Sequence, residues 1–582
     1  MVMNPDVYER RRRYEILRSQ MYDERSSFIG HWTDLGNYIL PRRPRFTISD
    51  RNRGDRRNQK IIDSTATLAA RTLRSGMMSG VTSPARPWFR LTTNDQKLAE
   101  SGDVKIWLNE VTELMRTVFL RSNVYNTLPI VYGDLGVFGT AAMLIEEDFT
   151  GDIIRTYAFP VGSYMLGNDD KLQVRVFMRD FMMTVRQIVE KFGRQPDGKI
   201  DWTNISDTVK QAWEENKPES WVSVTHVIAG NDEYQIGSPV NKRKRYRSCY
   251  YERGIVDSSD QYTGSVAEKF LSESGYDYFP VLAPRWEIVG EDVYGVDCPG
   301  MSSLGDVKQL QLGEKRIMQA IEKMVNPPMV GPTSLKKSAP SILPSDITYV
   351  DERDGVKGFR PAHEVNPRIA ELEEKQEQVR FRIRRAFFED LFLMLASTDR
   401  RQITAREVQE RHEEKLLALG PVLEQLNQDL LDPLIDITFD IMVSKGLIPE
   451  PPETIQGDNL KVEYISVMAQ AQKLSDVAGL ERFGMMVGDM VKATGDPTVI
   501  DKIDMDQFVD VYSDRLGVPP DVVRSDEAVA DLRAQRANAQ KQQAAIENAR
   551  QVTGAVKDLA ETDLEKDSAL SRVIEQGQAG KL

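Results

Sequence analysis

Cysteine and histidine are scarce: the 582 residues hold two of the first, Cys249 and Cys298, and four of the second. That is too few for a disulfide framework or a His/Cys metal cluster. No apolar run approaches the ~20 residues a membrane-spanning helix needs. The N-terminus carries Arg10-Arg11-Arg12-Arg13 where a signal peptide would place an apolar stretch, so neither membrane insertion nor signal-directed export is expected. Reaction motifs are missing too. There is no G-x-x-x-x-G-K-S/T phosphate loop, no G-x-S-x-G elbow and no acidic calcium loop. His412-Glu413-Glu414-Lys415 lacks the second histidine of a zinc-protease helix. Gly133, Gly136 and Gly139, three apart, do not match the dinucleotide fingerprint and fit a face that lets helices approach. No catalytic residue, cofactor site or metal site is expected, and the chain does not read as an enzyme.

What is present is the composition of a folded protein, with 40% hydrophobic and 28% charged residues. At ~150 residues per domain the length suggests about four structural units. The net charge of −13 argues against simple electrostatic binding to nucleic acid, but it is unevenly spread. Residues 1–60 carry 14 Lys/Arg against 8 Asp/Glu, a local +6 that leaves −19 for the rest. Arg42, Arg43, Arg45, Arg51, Arg53, Arg56 and Arg57 crowd one stretch, which suits a solvated or ion-paired arm as well as contact with a polyanion.

Along the chain, residues 7–80 read as helices around this basic loop, with Ile62, Leu68, Ala69, Leu73 and Met77 at helical spacing. Residues 87–91 read as extended, and 103–122 as an amphipathic helix carrying Val104, Trp107, Leu108, Val111, Met115, Val118 and Phe119. Residues 140–295 alternate as α+β. A helix over 302–325 ends at Asn326-Pro327-Pro328, and residues 326–365 are rich in proline, with one strand expected at Ile347–Val350. A second helix begins at Asn366-Pro367 and places Ile369, Leu372, Val379, Ile383, Ala386 and Leu393 on one seam. Its acidic first half and basic second half favour a single helix to Leu395, ~43 Å long. Ser397–Gln402 is a polar break, followed by the capping box Thr404-Ala405-Arg406-Glu407. Asp429, Asp432, Asp436 and Asp440 line one helical face, as a solvated, ion-paired or functional acidic surface. A strand is expected at Val462–Ile465 and helices at 468–493 and 504–516. Residues 513–582 contain no aromatic residue and suit helix or coiled coil.

Several motifs in order then carry a resemblance. They are Tyr38-Ile39-Leu40-Pro41-Arg42-Arg43, Ile62-Asp63-Ser64-Thr65-Ala66, Ser75 to Pro84, Trp88-Phe89, Gly133-Asp134-Leu135-Gly136 and Thr404-Ala405-Arg406-Glu407-Val408. Together they resemble the head-to-tail connector, or portal, proteins of short-tailed bacteriophages, over roughly residues 5–520. The resemblance implies a mainly α protein with an α+β wing: a portal-type ring protomer. It maps 1–298 to the wing, 299–325 to the first stem helix, 326–365 to the clip and 366–395 to the second stem helix. Residues 396–404 become a tunnel loop, 405–500 the wing continuation and 501–582 the crown or C-terminal helical tail.

The implied assembly is a homo-oligomeric ring, twelve-fold at one capsid vertex of the virion, put together in the host cytoplasm. Its implied partners are the major capsid protein, the scaffolding protein, the terminase large subunit, tail adaptor and nozzle proteins, and double-stranded DNA passing through the channel, with no membrane involved. Val379 and Ile383 are the candidate ring contacts, Lys336 and Lys337 the candidate clip contacts, and Arg400 and Arg401 the candidate DNA contacts in the channel. A virion scaffold protein without a DNA channel, or a DNA-packaging enzyme, is the alternative reading.

Overall fold

The computed structural model describes residues 5–50, 54–95, 98, 102–148, 151–256, 262–263, 269–331, 360–361, 368–397, 419–455, 460–465, 481–490, 504–516 and 526–560. They fall into two units, residues 1–94 with 106–475, and residues 95–105 with 476–582.

The first unit starts with the helices α1 (Pro5–Tyr38) and α2 (Thr65–Gly80), the strand β1 (Phe89–Thr93), and the helices α3 (Gly102–Arg121) and α4 (Val124–Phe138). Strands β2 (Met143–Asp148), β3 (Ile153–Ala158), β4 (Tyr164–Asn168) and β5 (Val174–Thr184) follow. After α5 (Asp207–Glu214) come β6 (Trp221–Gly230), β7 (Tyr246–Val256), β8 (Tyr262–Thr263), β9 (Ser272–Tyr276) and β10 (Val281–Leu282). The rest of the unit holds α6 (Pro299–Val325), β11 (Met329–Val330), β12 (Arg360–Pro361), α7 (Ile369–Ala386), α8 (Glu389–Ser397), α9 (Asp432–Ser444) and β13 (Leu460–Tyr464). In the second unit a helix over 481–490 precedes α10 (Met505–Leu516) and α11 (Asp526–Ala560).

The α+β expectation for 140–295 holds. Strands β4 to β8 form one antiparallel sheet in chain order, and β9 also pairs with β7. Alternation along the strands sends side chains to two opposite cores. Met178, Val227, Cys249 and Tyr251 meet Tyr14 and Met21 of α1 on one side. Val222, Val224 and Tyr250 meet Ile188, Val189 and Val209 on the other.

This packing explains the arginine-rich start of the chain. Arg10 pairs with Glu233 and Glu273, and Arg18 with Asp180. Arg11 donates to the Glu252 carbonyl and lies over the Tyr251 ring. Arg25 donates to the carbonyls of Gly162 and Tyr164. These side chains fasten α1 to the sheet. In the basic loop, Arg43 pairs with Asp134 and Arg57 with Asp50, so ion pairing within the chain accounts for these two.

Two helix expectations need correction. On α2 the buried stripe is Ala66, Ala69, Ala70, Leu73 and Met77, whereas Ile62 and Leu68 are exposed. The second long helix is not continuous to Leu395. It stops at Ala386, and Phe388 takes φ +55° before α8 begins at Glu389. The buried Phe387 sits at this corner, and the Phe388 ring lies 6.4 Å from that of Trp286. Tertiary packing of two phenylalanines thus overrides the helical charge pattern, and α7 spans about 27 Å.

The extended stretch near 87–91 and the strand near 462–465 both exist. They pair with each other in an antiparallel register from Phe89↔Tyr464 to Thr93↔Leu460. Asn366-Pro367, Ile347–Val350, the polar break beyond Ser397 and the Thr404 capping box lie outside the described residues.

Candidate functional site: the paired helices and their insert

Helices α6 and α7 run antiparallel, since Gln376 meets Gly313 while Arg382, further on, pairs with Asp306, further back. A Cβ at Gly313 would lie 1.9 Å from Gln376 Nε2, so glycine leaves room here for the buried Gln376 amide against α6. Val307, Leu310 and Ile317 of α6 and Val379 and Ile383 of α7 are buried. The insert between the helices is clasped at its base by β11 and β12, with Met329↔Pro361 and Val330↔Arg360 in register. Its interior, with Lys336 and Lys337, lies outside the described residues, as do Arg400 and Arg401.

The burial of Val379 and Ile383 corrects the expected ring contact. Both are filled against neighbours within the protomer, at 1% and 0% exposure, and present nothing to a second subunit. Other apolar side chains of the helix pair stay exposed: Leu312, Met318, Ile321, Met324 and Val325 on α6, Leu372 and Phe381 on α7, and Leu393 on α8. A seam read from heptad spacing cannot say which neighbour fills it.

Three junctions position the pair. At the first, Gln311 Oε1 accepts from the amides of Ile62 and Asp63 at 2.6 and 2.8 Å, and its Nε2 donates to the Asp63 carbonyl. Asp63 accepts from the Thr65 amide at 2.7 Å, closing the start of α2, and from Arg380 Nε at 2.9 Å. Arg380 also pairs with Glu314 at 2.6 Å. Burial pushes the Asp63 carboxyl up, but the Thr65 hydrogen bonds and Arg380 outweigh it and hold it below its ordinary value. At the second junction α8 meets α2, where a Cβ on Gly76 would strike the Phe392 ring at 2.1 Å. At the third, α4 meets the start of α6: a Cβ on Gly300 would lie 2.4 Å from the Val137 carbonyl oxygen, and Gly139, at φ +74°, faces the Gly295 backbone. On the same helix α4, Gly136 closes on Leu73, and buried Asp134 takes Arg43 at 2.5 and 2.6 Å.

Sequence reasoning missed Gln311, Gly300 and Gly313. A signal existed for Gln311, a polar residue between Leu310 and Leu312 beside an apolar stripe. None singled out the two glycines.

The aspartate row is partly engaged. Asp429 pairs with the buried Arg285 at 3.1 Å, and the Tyr464 hydroxyl donates to Asp432. No group of acidic, histidine or cysteine side chains among the described residues is arranged to hold a metal. Partial burial, with Asp432 and Asp440 nearby, pushes the Asp436 carboxyl up to about 6. Asp440 is raised in turn by burial and by Asp277. Because the folded chain holds the Asp436 proton more tightly than the unfolded one, this group's contribution favours folding at about pH 4 and is lost as pH rises through about 6. Asp436→Asn is therefore expected to match the parent near pH 4 and to exceed it near pH 7.5 by under about 1 kcal/mol, since solvent reaches the side chain and screens it. Urea midpoints at the two pH values check this, and a constant difference between them would count against it.

The motifs of residues 62–66, 75–84 and 133–136 thus stand at packing junctions around a clasped pair of long helices. The chain matches the family described as "Bacteriophage head to tail connecting protein" over residues 11–523, and it belongs to that family. It is 46% identical over 555 residues, 95% of this chain and 96% of the relative, to "Portal protein" of Salmonella phage epsilon15. It is 41% identical over 557 residues, at the same coverage, to "Probable portal protein" of Bordetella phage BPP-1. Both relatives are named as portal proteins, in keeping with a chain that does not read as an enzyme.

Proposed function

We propose that this chain is the portal of a short-tailed phage, a ring at one capsid vertex through which double-stranded DNA enters during packaging and leaves during ejection. The observation that carries the reading is identity over 95% of the chain with a relative named as a portal protein. The exposed apolar side chains of α6 and α7 support ring formation, because a lone protomer leaves them in water. Closure needs a heterologous interface, one face of each subunit meeting a different face of the next. An acidic protein, at −13 per chain, also suits a bore through which DNA slides without being held.

On this reading, residues 1–298 and 405–500 form the wing, α6 the first stem helix, and α7 with α8 the second. Residues 326–365 form the clip, 396–404 the tunnel loop and 501–582 the crown, with twelve copies per ring. The wing contacts the major capsid and scaffolding proteins, and the clip takes the terminase large subunit and later the tail adaptor and nozzle proteins. Negative-stain images of the purified protein test the reading, since a ring with a central hole is expected and a uniform monomer would refute it.

The clip and the tunnel loop make separable contributions. Deleting 333–345, which removes Lys336 and Lys337, is expected to leave rings intact and abolish adaptor capture in a pull-down. Arg400→Ala/Arg401→Ala is expected to leave assembly intact and shorten the DNA retained in filled heads, because these cations contact passing phosphates. Undiminished capture would move the docking surface off the insert. Parental DNA retention would leave the arginines without a role in the channel.

A further inference from the structure

Strands β6 and β7 are joined by a finger, residues 231–245, that is firmly built and ends in water. Asn231 Nδ2 donates to the carbonyls of Lys242 and Lys244 at 3.0 and 2.7 Å, and the Gln235 amide donates to the Arg243 carbonyl at 3.0 Å. At the tip Ile236 is 89% exposed, and Tyr234 and Val240 are exposed beside it. Single exposed apolar side chains are ordinary, but three on one hydrogen-bonded projection make an apolar surface with nothing to cover it. The finger is also basic, on a chain of net charge −13: five of the six positions from 242 to 247 are Lys or Arg. Lys242 pairs with Glu273, Lys244 with Asp277 and Arg247 with Glu233. Arg243 donates to the Gln235 side chain and Arg245 lies over the Tyr246 ring, and neither meets a carboxylate among the described residues.

The opposite edge of the same sheet has the reverse character. Residues 286–298 hold four carboxylates and no Lys or Arg. Asn168 of β4 donates to the Asp292 carbonyl, which fixes this segment beside β4. Burial and the nearby Asp292 push the Glu24 carboxyl of α1 up, as expected where two carboxylates approach without a cation. Glu24, Glu287, Glu291 and Asp292 form no ion pair among the described residues, and Val289, between the two glutamates, is 62% exposed.

Strands β4, β5, β6, β7 and β9 lie side by side in that order, about 19 Å across, so a protomer's finger does not reach its own acidic segment. Complementary surfaces at opposite edges are what a heterologous contact between copies requires. A nucleic acid would meet the cations but leave Ile236 in water, whereas the acidic segment with Val289 answers both. Resting on the ring reading above, we propose that the finger of each subunit docks on residues 286–292 of the next copy, with Arg243 and Arg245 among its carboxylates and Ile236 against Val289.

The test is charge reversal in the full-length chain, as Arg243→Glu/Arg245→Glu and as Glu287→Arg/Glu291→Arg. All four side chains are exposed, so circular dichroism should match the parent. Each variant alone sets like charges together at every contact and is expected to give at least about tenfold less ring by sedimentation in about 0.15 M salt. Mixing the two lets them alternate, and combining all four substitutions in one chain also restores opposite charges, so both are expected to restore rings. Parental rings from either variant alone would overturn the pairing and leave the finger to another partner. Lost rings that neither the mixture nor the combined chain restores would overturn it as well. A parent that forms no rings would instead refute the ring reading itself, and the pairing with it.

Discussion

A chain carrying Met318→Asp and Phe381→Asp together is expected to keep its fold and form no rings. Met318 is 63% exposed and Phe381 54%, so neither holds a protomer together, and an aspartate at either place meets water in the monomer. In a ring the same side chains would be covered by a neighbour. A charge buried there without a partner costs about 3 kcal/mol or more per contact, and a closed ring repeats the contact around its circumference. Circular dichroism should match the parent, while sedimentation and negative stain should show protomers only. Parental rings would place the subunit contact away from these faces of α6 and α7.

Ile383→Asp is expected to do the opposite: the helix pair itself fails. Ile383 is fully buried within the protomer. Burying the charge, or protonating it to avoid that, costs about 3–5 kcal/mol, a large share of a domain's stability. Ile383→Val should cost about 1 kcal/mol and serves as the control for lost volume alone. Urea unfolding of the two variants checks the difference. If Ile383→Asp unfolded like its parent and merely lost rings, the assignment of this side chain to the protomer interior would be wrong.

The contrast between these substitutions marks what could be read from the sequence. Period and punctuation were enough to locate α3, α6 and the strands β1 and β13, because each carries its signal within one element. Helical spacing also identified Val379 and Ile383 as a buried seam. What it could not supply was the identity of the neighbour: α6 of the same chain fills that seam. The break at Phe387 and Phe388 was hidden for a similar reason. No glycine or proline marks it, and only the surrounding packing makes a positive φ at Phe388 tolerable.

The motifs behind the family resemblance are more telling in retrospect. Asp63, Gly76, Asp134 and Gly136 are each where one helix is fixed to another segment. The aspartates anchor arginines from elsewhere in the chain, and the glycines allow a close approach. A sequence shows such residues but not their partners, which come from across the fold.

The pairing of β1 with β13 has a consequence in time. The partner of Phe89 is Tyr464, so about 370 residues must be made after β1 before its strand exists. At ordinary translation rates of about 5–20 residues per second that interval is roughly 20–75 s. Throughout it, Trp88, Phe89 and Leu91 belong to an edge with nothing yet synthesised to close it, and every other nascent copy of the chain carries the same open edge. The order of synthesis thus makes this short strand the place where a nascent chain depends longest on being kept apart from its copies.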